Sequence, residues 1–304
     1  MLGTESLWFQ WGGHLDALIG LIALESAFLL GVGPLRQRYN LADDVDPRKI
    51  ATFTLGVLVI FVAVLSPIHV MAEEYLFSIH MTQHVLITLV APPFLIMGTP
   101  DWLLRPLLRP NWAFWVMRRL TNPIGAFLAF NLVFSIWHLP SLYEISVINH
   151  GVHFVEHALM LGTGILMWWP LTSPMPELPK VSPPIAMLYL FGLSLAQLIV
   201  FGALVFSAEP LYDFYVNAPR ISALSPLADQ QIGATQGADD FGIRAGERDD
   251  AHGQGPLPRQ HCEFVDHLSR LVHELRRGPV RTNRQAAMAR VRPVTSITRD
   301  VAAK

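Results

Sequence analysis

Two pairs of histidines, the members of each four positions apart, stand inside long apolar stretches of the chain. His80 and His84 lie in HMTQHVLITLVAPP, and His153 and His157 lie in NHGVHFVEH. Residues four apart share one face of a helix, so each pair can present two imidazoles one turn apart. Two facing pairs could offer a metal ion four nitrogen ligands, or three ligands and an open position. The spacing therefore indicates a metal site between two helices.

Three further residues are candidates near these pairs. Glu156 points about 100° away from His157 around a helix, so its carboxylate is a candidate acceptor for the second ring N–H of a metal-binding histidine. His138, in WHLP, could bind the metal or could simply cap a helix end. His69 could also be a ligand, or could hydrogen-bond water and lipid headgroups at a membrane surface. These three residues complete the candidate set.

Cysteine use and charge argue against several other classes of function. The one cysteine, Cys262, excludes an intrachain disulfide and any CxxC motif, so soft-metal chemistry would depend on histidine and methionine. The formal net charge of -2 gives no basic field for nucleic acid. The sequence shows no nucleophile constellation, no paired carboxylates in an apolar stretch and no phosphate-binding loop. We therefore expect a protein that is not an enzyme and does not bind nucleic acid.

The composition predicts an integral membrane protein whose helices position these side chains. Of the 304 residues, 52% are hydrophobic and 15% are charged. A helix needs roughly 20 apolar residues to cross a bilayer. Six stretches meet this length: residues 14–33, 50–68, 75–98, 122–140, 151–171 and 183–207. The segment 101–120 mixes tryptophan, leucine and arginine with prolines and is predicted to lie at the membrane interface. The expected fold is an all-α integral membrane bundle of six transmembrane helices.

The positions of lysine and arginine predict the orientation of these helices. Short cytoplasmic loops retain lysine and arginine, and the loops after the first, third and fifth stretches carry them. The N-terminus and the loops around Glu73 and Glu144 contain none, so these parts are predicted to face outward. The histidines of the apolar region then all fall on the outer side of the membrane.

The chain becomes polar from about residue 229. We predict a transmembrane helical domain over residues 1–228 and a polar, disordered tail over residues 229–304. Within the tail, HCEFVDHLSRLVHELRRG could form a short amphipathic helix. After six helices with an outside N-terminus, this cationic tail would also lie outside, against the charge rule, although long translocated segments escape that rule.

Three motifs resemble those of one known family. HMTQHVLITLVAPPFLIMGTP, WHLPSLYEISVINHGVHFVEHALMLGTGILMWWPL and SPLADQQIG together resemble the multi-span CtaG family of bacterial cytochrome c oxidase assembly proteins, over about residues 10–233. The resemblance implies a protein of the bacterial cytoplasmic membrane that serves a haem-copper oxidase subunit and handles copper for the copper centre of the oxidase. The family's motif residues correspond by position to His69, His80, His84, His138, His153, Glu156 and His157.

The chain departs from this family at its end. Members usually have seven helices and continue from the DQQ element, here Asp229, Gln230 and Gln231, into a glycine-containing seventh helix. This chain turns polar instead. The sequence leaves two explanations open, a frameshift in the gene or a genuine alternative tail. A lost seventh helix would leave one face of the bundle exposed to lipid.

Two other functions stay open on the residues alone. A bis-histidine haem in a membrane uses one histidine from each of two helices, and His84 and His157 would then be the axial ligands of an electron-transfer protein. Two pairs at one level favour a metal ion over a single haem. The other alternative is an assembly scaffold without a metal, whose histidines only tune a response to pH. The sequence determines neither the oligomeric state nor the oxidation state of the copper.

Overall fold

A computed structural model describes Phe9, Trp11 and residues 14–240, the last four of them by their backbone alone. In this part of the chain the structure is helical and contains no strand. The helices, which include the π-helical turns at Gly31–Leu35 and Leu86–Val90, are α1 (Leu15–Arg38), α2 (Pro47–Leu65), α3 (Pro67–Glu74), α4 (Phe77–Gly98), α5 (Asp101–Leu104), α6 (Asn111–Leu120), α7 (Pro123–Trp137), α8 (Pro140–Ile148), α9 (His150–Thr172), α10 (Pro183–Phe206), α11 (Asp213–Asn217) and α12 (Pro226–Asp240). The predicted all-α class is confirmed.

Six of these helices, α1, α2, α4, α7, α9 and α10, correspond to the six predicted apolar stretches. Among the described residues, α1, α2, α4 and α10 are long and apolar enough to cross a membrane. A fifth span results if α6 and α7, which meet at a bend of 70°, count as one. α9 is 23 residues long, but the polar side chains in its first two turns lower its hydropathy. The chain is a membrane protein, whereas six spans, an outside N-terminus and an interfacial 101–120 segment stay predictions.

Side-chain caps fix where several helices begin. Asp46 accepts a hydrogen bond from the backbone N–H of Arg48 at the start of α2, and Ser66 accepts one from Ile68 at the start of α3. In each case proline follows the cap, where its missing N–H costs nothing and its fixed φ suits a helix. Asn149 caps α9 through its side chain, which accepts a hydrogen bond from the backbone N–H of Val152. The caps of α3 and α9 set the positions of the histidines that follow them.

α4 is the central helix of the bundle. In its most apolar 18-residue window 72% of the residues are buried, against 22% for α1 and for α10. Glycines allow two neighbours to approach its backbone. A Cβ at Gly98 would lie 2.4 Å from the backbone nitrogen of Phe53 on α2, and a Cβ at Gly164 on α9 would lie 3.0 Å from the carbonyl oxygen of Thr88. α2 and α9 therefore pack directly against the helix that carries His80 and His84.

α12 holds the first turn of α4. The N-cap residue of α4, Leu76, has no side-chain acceptor. The carboxylate of Asp229 supplies one, because it accepts hydrogen bonds from the backbone nitrogens of Phe77 (2.8 Å) and Ser78 (3.2 Å) and from the Ser78 hydroxyl (2.6 Å). Asp229 is fully buried. It therefore fixes the start of the helix that presents His80.

The DQQ element also ties α12 to the end of α10. Gln230 donates to the carbonyl of Leu204 and accepts from the backbone N–H of Leu211, and Gln231 donates to the carbonyl of Val205. α12 thus extends past residue 228, where the predicted domain boundary lies, as far as Asp240. It is 15 residues long, shorter than a typical span. The division into two domains stays a prediction, and the amphipathic segment and disorder predicted beyond residue 240 lie outside the described residues.

Candidate metal centre

The two histidine pairs face each other across α4 and α9. The ring centroids of His80 and His153 lie 5.3 Å apart, and those of His84 and His157 lie 5.5 Å apart. Within α4, the Nε2 atoms of His80 and His84 are 3.0 Å apart. Two nitrogens on one tetrahedral ion are about 3.3 Å apart, given metal–nitrogen bonds of about 2.0 Å. The geometry of this pair therefore suits two ligands of one ion.

Tyrosines orient the His80 ring. Nδ1 of His80 lies 3.2 Å from the Tyr215 hydroxyl, which donates its own proton to the carbonyl of Ala72 and accepts one from Tyr143. Burial raises the pKa of both phenols, so both keep their protons. The Nδ1–H of His80 must then be the donor to Tyr215. This tautomer leaves the Nε2 lone pair of His80 free to face His84.

His138 reaches the same region from the end of α7. Its Nδ1–H donates to the carbonyl of Phe134 at 2.7 Å, which leaves Nε2 as the atom with a free lone pair. The ring lies 5.7 Å from that of His84, centroid to centroid. Both rings are buried. The helix-capping role and the ligand role are therefore compatible, because they use different nitrogens.

Glu73, on α3, connects three histidines and was not among the predicted residues. One carboxylate oxygen accepts a hydrogen bond from Nδ1 of His153. The other lies 3.2 Å from Nε2 of His69 and 3.5 Å from Nε2 of His14. Metal-binding histidines commonly donate their second N–H to a carboxylate in this way. Glu73 therefore holds His153 with its Nε2 lone pair free.

His69 differs from His138, His153 and His157 because both of its nitrogens have partners. The amide of Gln83 donates to Nδ1 at 2.7 Å, and Nε2 faces Glu73. Burial lowers the pKa of His69 to about 4, although Glu73 opposes the shift. Burial alone would raise the pKa of Glu73, but the hydrogen bond from His153 and the nearby histidines leave it lowered overall. At neutral pH His69 is therefore neutral, Glu73 is charged, and His69 supports the site through Glu73.

Glu156 lies closer to the rings than the sequence suggests. It is fully buried, and its carboxylate is 3.5 Å from Nε2 of His84. Ligand atoms of Glu156, His80 and His153 lie within 4.8 Å of one another. The adjacent Ser146 hydroxyl donates to the carbonyl of Tyr143 at 2.7 Å. Glu156 is therefore within ligand distance of the rings, while Glu73 is the carboxylate that accepts a ring N–H.

Several polar atoms in this region have no hydrogen-bond partner within the described part of the chain. Those that could bind a metal with His80 and His84 are called the open ligand atoms: Nε2 of His138, His153 and His157 and both carboxylate oxygens of Glu156. Nδ1 of His84 and Oε1 of Gln83 lack a partner as well. A buried polar atom without a partner costs free energy, and such atoms are few in native structures. Ligand atoms of His157 lie within 4.8 Å of those of His80 and His84, and ligand atoms of His153 and Glu156 lie within 4.8 Å of one of His80. The donor set therefore fits a metal ion, which would take several of these atoms as ligands.

The structure brings every predicted site residue to one end of the bundle. The missed residues are Glu73, Gln83, Tyr143 and Tyr215. Glu73 follows His69 by four residues, and this helical spacing could have identified it. Tyr215 is 135 residues from His80 in the chain, so no local pattern indicates their contact. Which residues bind a metal stays a prediction.

The comparison with protein families shows to which family the chain belongs. Residues 26–236, more than half of the chain, match the model of the cytochrome c oxidase caa3 assembly factor family, Caa3_CtaG. The chain belongs to this family. The match confirms the resemblance seen in the sequence, and an assembly factor of this family implies interaction with the oxidase. No curated protein and no solved structure matches the chain.

Proposed function

We propose that this Caa3_CtaG protein binds copper as cargo in the buried histidine group and delivers it to the copper centre of the oxidase. The observation that carries the proposal is the close approach of buried histidine nitrogens: the Nε2 atoms of His80 and His84 are 3.0 Å apart, and Nε2 of the nearby His157 has no hydrogen-bond partner among the described residues. Ligand atoms of His80, His84 and His157 lie within 4.8 Å of one another. These three nitrogens form the core of the proposed site, with His138 or His153 as a fourth ligand.

The chemistry of the donors suits a cargo site. Imidazole accepts copper in both oxidation states, whereas thiolates favour Cu(I) strongly. An imidazole site can therefore hold the ion and still release it. The carboxylate of Glu156, 3.5 Å from His84, offsets the positive charge of the ion inside the bundle.

The residues around the ligands hold their ring tautomers. The Nδ1–H of His80 donates to Tyr215, that of His153 donates to Glu73, and that of His138 donates to the carbonyl of Phe134. Each then presents Nε2 to the ion. In the metal-free protein Nε2–H of His84 donates to Nε2 of His80. When the ion binds Nε2 of His84, that proton moves to Nδ1 of the same ring, which has no partner among the described residues. The protein needs to catalyse no bond-making step, so we propose that it is not an enzyme.

The orientation of the helices in the membrane determines the face at which copper is delivered. With the N-terminus outside, as the lysine and arginine positions predict, the histidine group opens toward the outer face of the bacterial cytoplasmic membrane. The recipient centre of the oxidase then takes the ion by ligand exchange at that face.

The packing of the rings disfavours a haem between His84 and His157. Their planes meet at 88°, and the rings of His80 and His138 lie 4.5 Å and 5.7 Å from that of His84. A macrocycle between two axial ligands needs an open plane there. A haem would show a Soret absorption band in the purified protein, and a copper site would not.

The test measures copper bound to the purified full-length chain by elemental analysis and by competition with a chelator of known affinity. The variant His84→Ala/His157→Ala is expected to bind one copper ion fewer than the wild type. The control variant His252→Ala/His261→Ala removes the same number of histidines from the tail and should bind as the wild type does. Equal copper in all three proteins, with normal oxidase maturation in the histidine variant, would refute the proposal and favour the scaffold.

A further inference from the structure

A second group of potential ligands lies at the entrance to the histidine group. It consists of His14 and Asp16, at the start of α1, and His150, at the start of α9, and we call it the entrance group. Nε2 of His150 lies 3.0 Å from a carboxylate oxygen of Asp16, and the rings of His14 and His150 stack at 4.5 Å. The side chains of His150 and Asp16 are 52% and 44% exposed. These atoms are therefore accessible, unlike those around His80.

A cavity of about 190 Å³ joins this group to the buried histidines. Its polar lining includes His14, Asp16 and His150 of the entrance group together with Glu73, His153 and His157, and the rest of the lining is mostly apolar. The volume is several times that of one water molecule. The cavity therefore has room for an ion with part of its hydration shell.

Shared residues connect the ligand groups in steps. His14 belongs both to the entrance group and to a second group with His69 and Glu73. Glu73 in turn binds His153. His153 belongs to a third group with Glu156 and His80, and His80 belongs to the buried group with His84 and His157. An ion can therefore move inward while it exchanges one ligand at a time, and no step requires a fully bare ion.

We propose that His14, Asp16 and His150 form a loading site that takes up a copper ion and passes it through Glu73 and His153 to the buried histidines. This inference rests on the proposed function, because it assigns the route by which that site is filled. Two imidazoles and one carboxylate suit Cu(II), which favours nitrogen and oxygen ligands. Transfer is ligand exchange without a redox step. His14 and Asp16 precede the residues that match the family model, whereas His150 lies within them.

The test uses the full-length protein in detergent, loaded with Cu(II) alone and followed by electron paramagnetic resonance and by the rate of loading. The wild type should bind two ions with two distinct signals. The variant Asp16→Asn/His150→Gln should lose one ion and the signal with mixed nitrogen and oxygen ligands. Its buried site should still fill, but about tenfold or more slowly, because the charge that attracts the ion is lost. The control Asp43→Asn/His252→Gln, with an exposed carboxylate at the other end of the bundle, should behave as the wild type.

Each outcome separates this inference from the proposed function. Two ions and wild-type loading in Asp16→Asn/His150→Gln would overturn the entrance site and leave the buried site intact. If His84→Ala/His157→Ala binds as much copper as the wild type while Asp16→Asn/His150→Gln binds none, the entrance site is supported as a binding site and the buried site fails. Loss of one ion in each variant, with slow loading only in the entrance variant, supports both.

Discussion

The two ends of the bundle differ in how their charged and polar side chains are paired. At the end where α4 and α9 terminate, Arg105 pairs with Asp101 and Glu177, and all three side chains are 39–46% exposed. At the end where α4 and α9 begin, polar atoms of His138, His153, His157 and Glu156 are buried without a hydrogen-bond partner among the described residues. Exposed, paired charges contribute little to stability and need no further partner. Buried, open atoms cost free energy unless something binds them. Nε1 of Trp169, near the first end, is also buried without a partner among the described residues, but the open ligand atoms are all at the second end. The contrast indicates that the second end is kept for a ligand at the expense of stability.

Replacement of Glu156 tests this contrast most strongly, because affinity and stability should change in opposite directions. Glu156→Leu removes a buried carboxylate with two open ligand atoms. The metal-free variant should be more stable than the wild type by about 1–3 kcal/mol, since an apolar group of similar size avoids the desolvation penalty. Its copper affinity should fall. Thermal unfolding and chelator competition measure the two effects.

The matched control for this change is Glu209→Leu, which replaces an exposed carboxylate. It should alter neither stability nor copper affinity to a measurable extent. A less stable metal-free Glu156→Leu protein would show that the carboxylate stabilises the fold, and the contrast between the two ends would not hold.

Loss of Glu73 tests whether the carboxylate behind His153 orients it for binding. Glu73→Ala removes the acceptor of the His153 Nδ1–H. Copper affinity should fall about 10–100-fold, the usual effect of losing a carboxylate that holds a metal-binding histidine. Glu73→Gln, whose amide oxygen can still accept that N–H, should recover part of the affinity. Equal affinities for wild type and Glu73→Ala in chelator competition would contradict the assigned role.

Asp229 tests the link between α12 and the site. Asp229→Ala removes the acceptor for the first backbone N–H groups of α4. We expect a loss of stability of about 1–2 kcal/mol, as for other helix caps, together with weaker copper binding, because His80 follows one turn later. Asp213→Ala, at an exposed position, is the control. Unchanged unfolding in Asp229→Ala would show that α12 does not position α4.

The smallest effect is expected at the other end of the bundle. Arg105→Ala breaks two exposed ion pairs. It should change neither the unfolding temperature in moderate salt nor copper affinity, because solvent and salt already screen these charges. A clear loss of copper affinity in this variant would mean that the two ends are coupled.

The parts of the site that follow from helical periodicity could be predicted from the sequence. His80, His84, His153 and His157 depend only on a spacing of four residues within two helices, and the structure brings their rings together. The sequence could not predict the contact of Tyr215 with His80 or that of Asp229 with Phe77, because these residues are 135 and 152 positions apart in the chain. Such contacts arise from packing, which a local pattern does not encode.

The polar composition after residue 228 shows a second limit. Apolarity predicts helices that cross a membrane, but α12 is polar and is held by hydrogen bonds together with the packing of Gly233 and Ala234. Asp229 binds the start of α4, and Gln230 binds the end of α10. A hydropathy pattern therefore assigns these residues to a tail, although they form part of the packed bundle.

X-ray absorption at the copper edge of the loaded protein tests the central claim most directly. The measurement is best made on Asp16→Asn/His150→Gln, in which the proposed entrance ion is absent. The account predicts a single copper ion with three or four imidazole nitrogens, and loss of that spectrum when His84→Ala/His157→Ala is added. Copper bound only by oxygen, or an unchanged spectrum after the two histidines are removed, would contradict it.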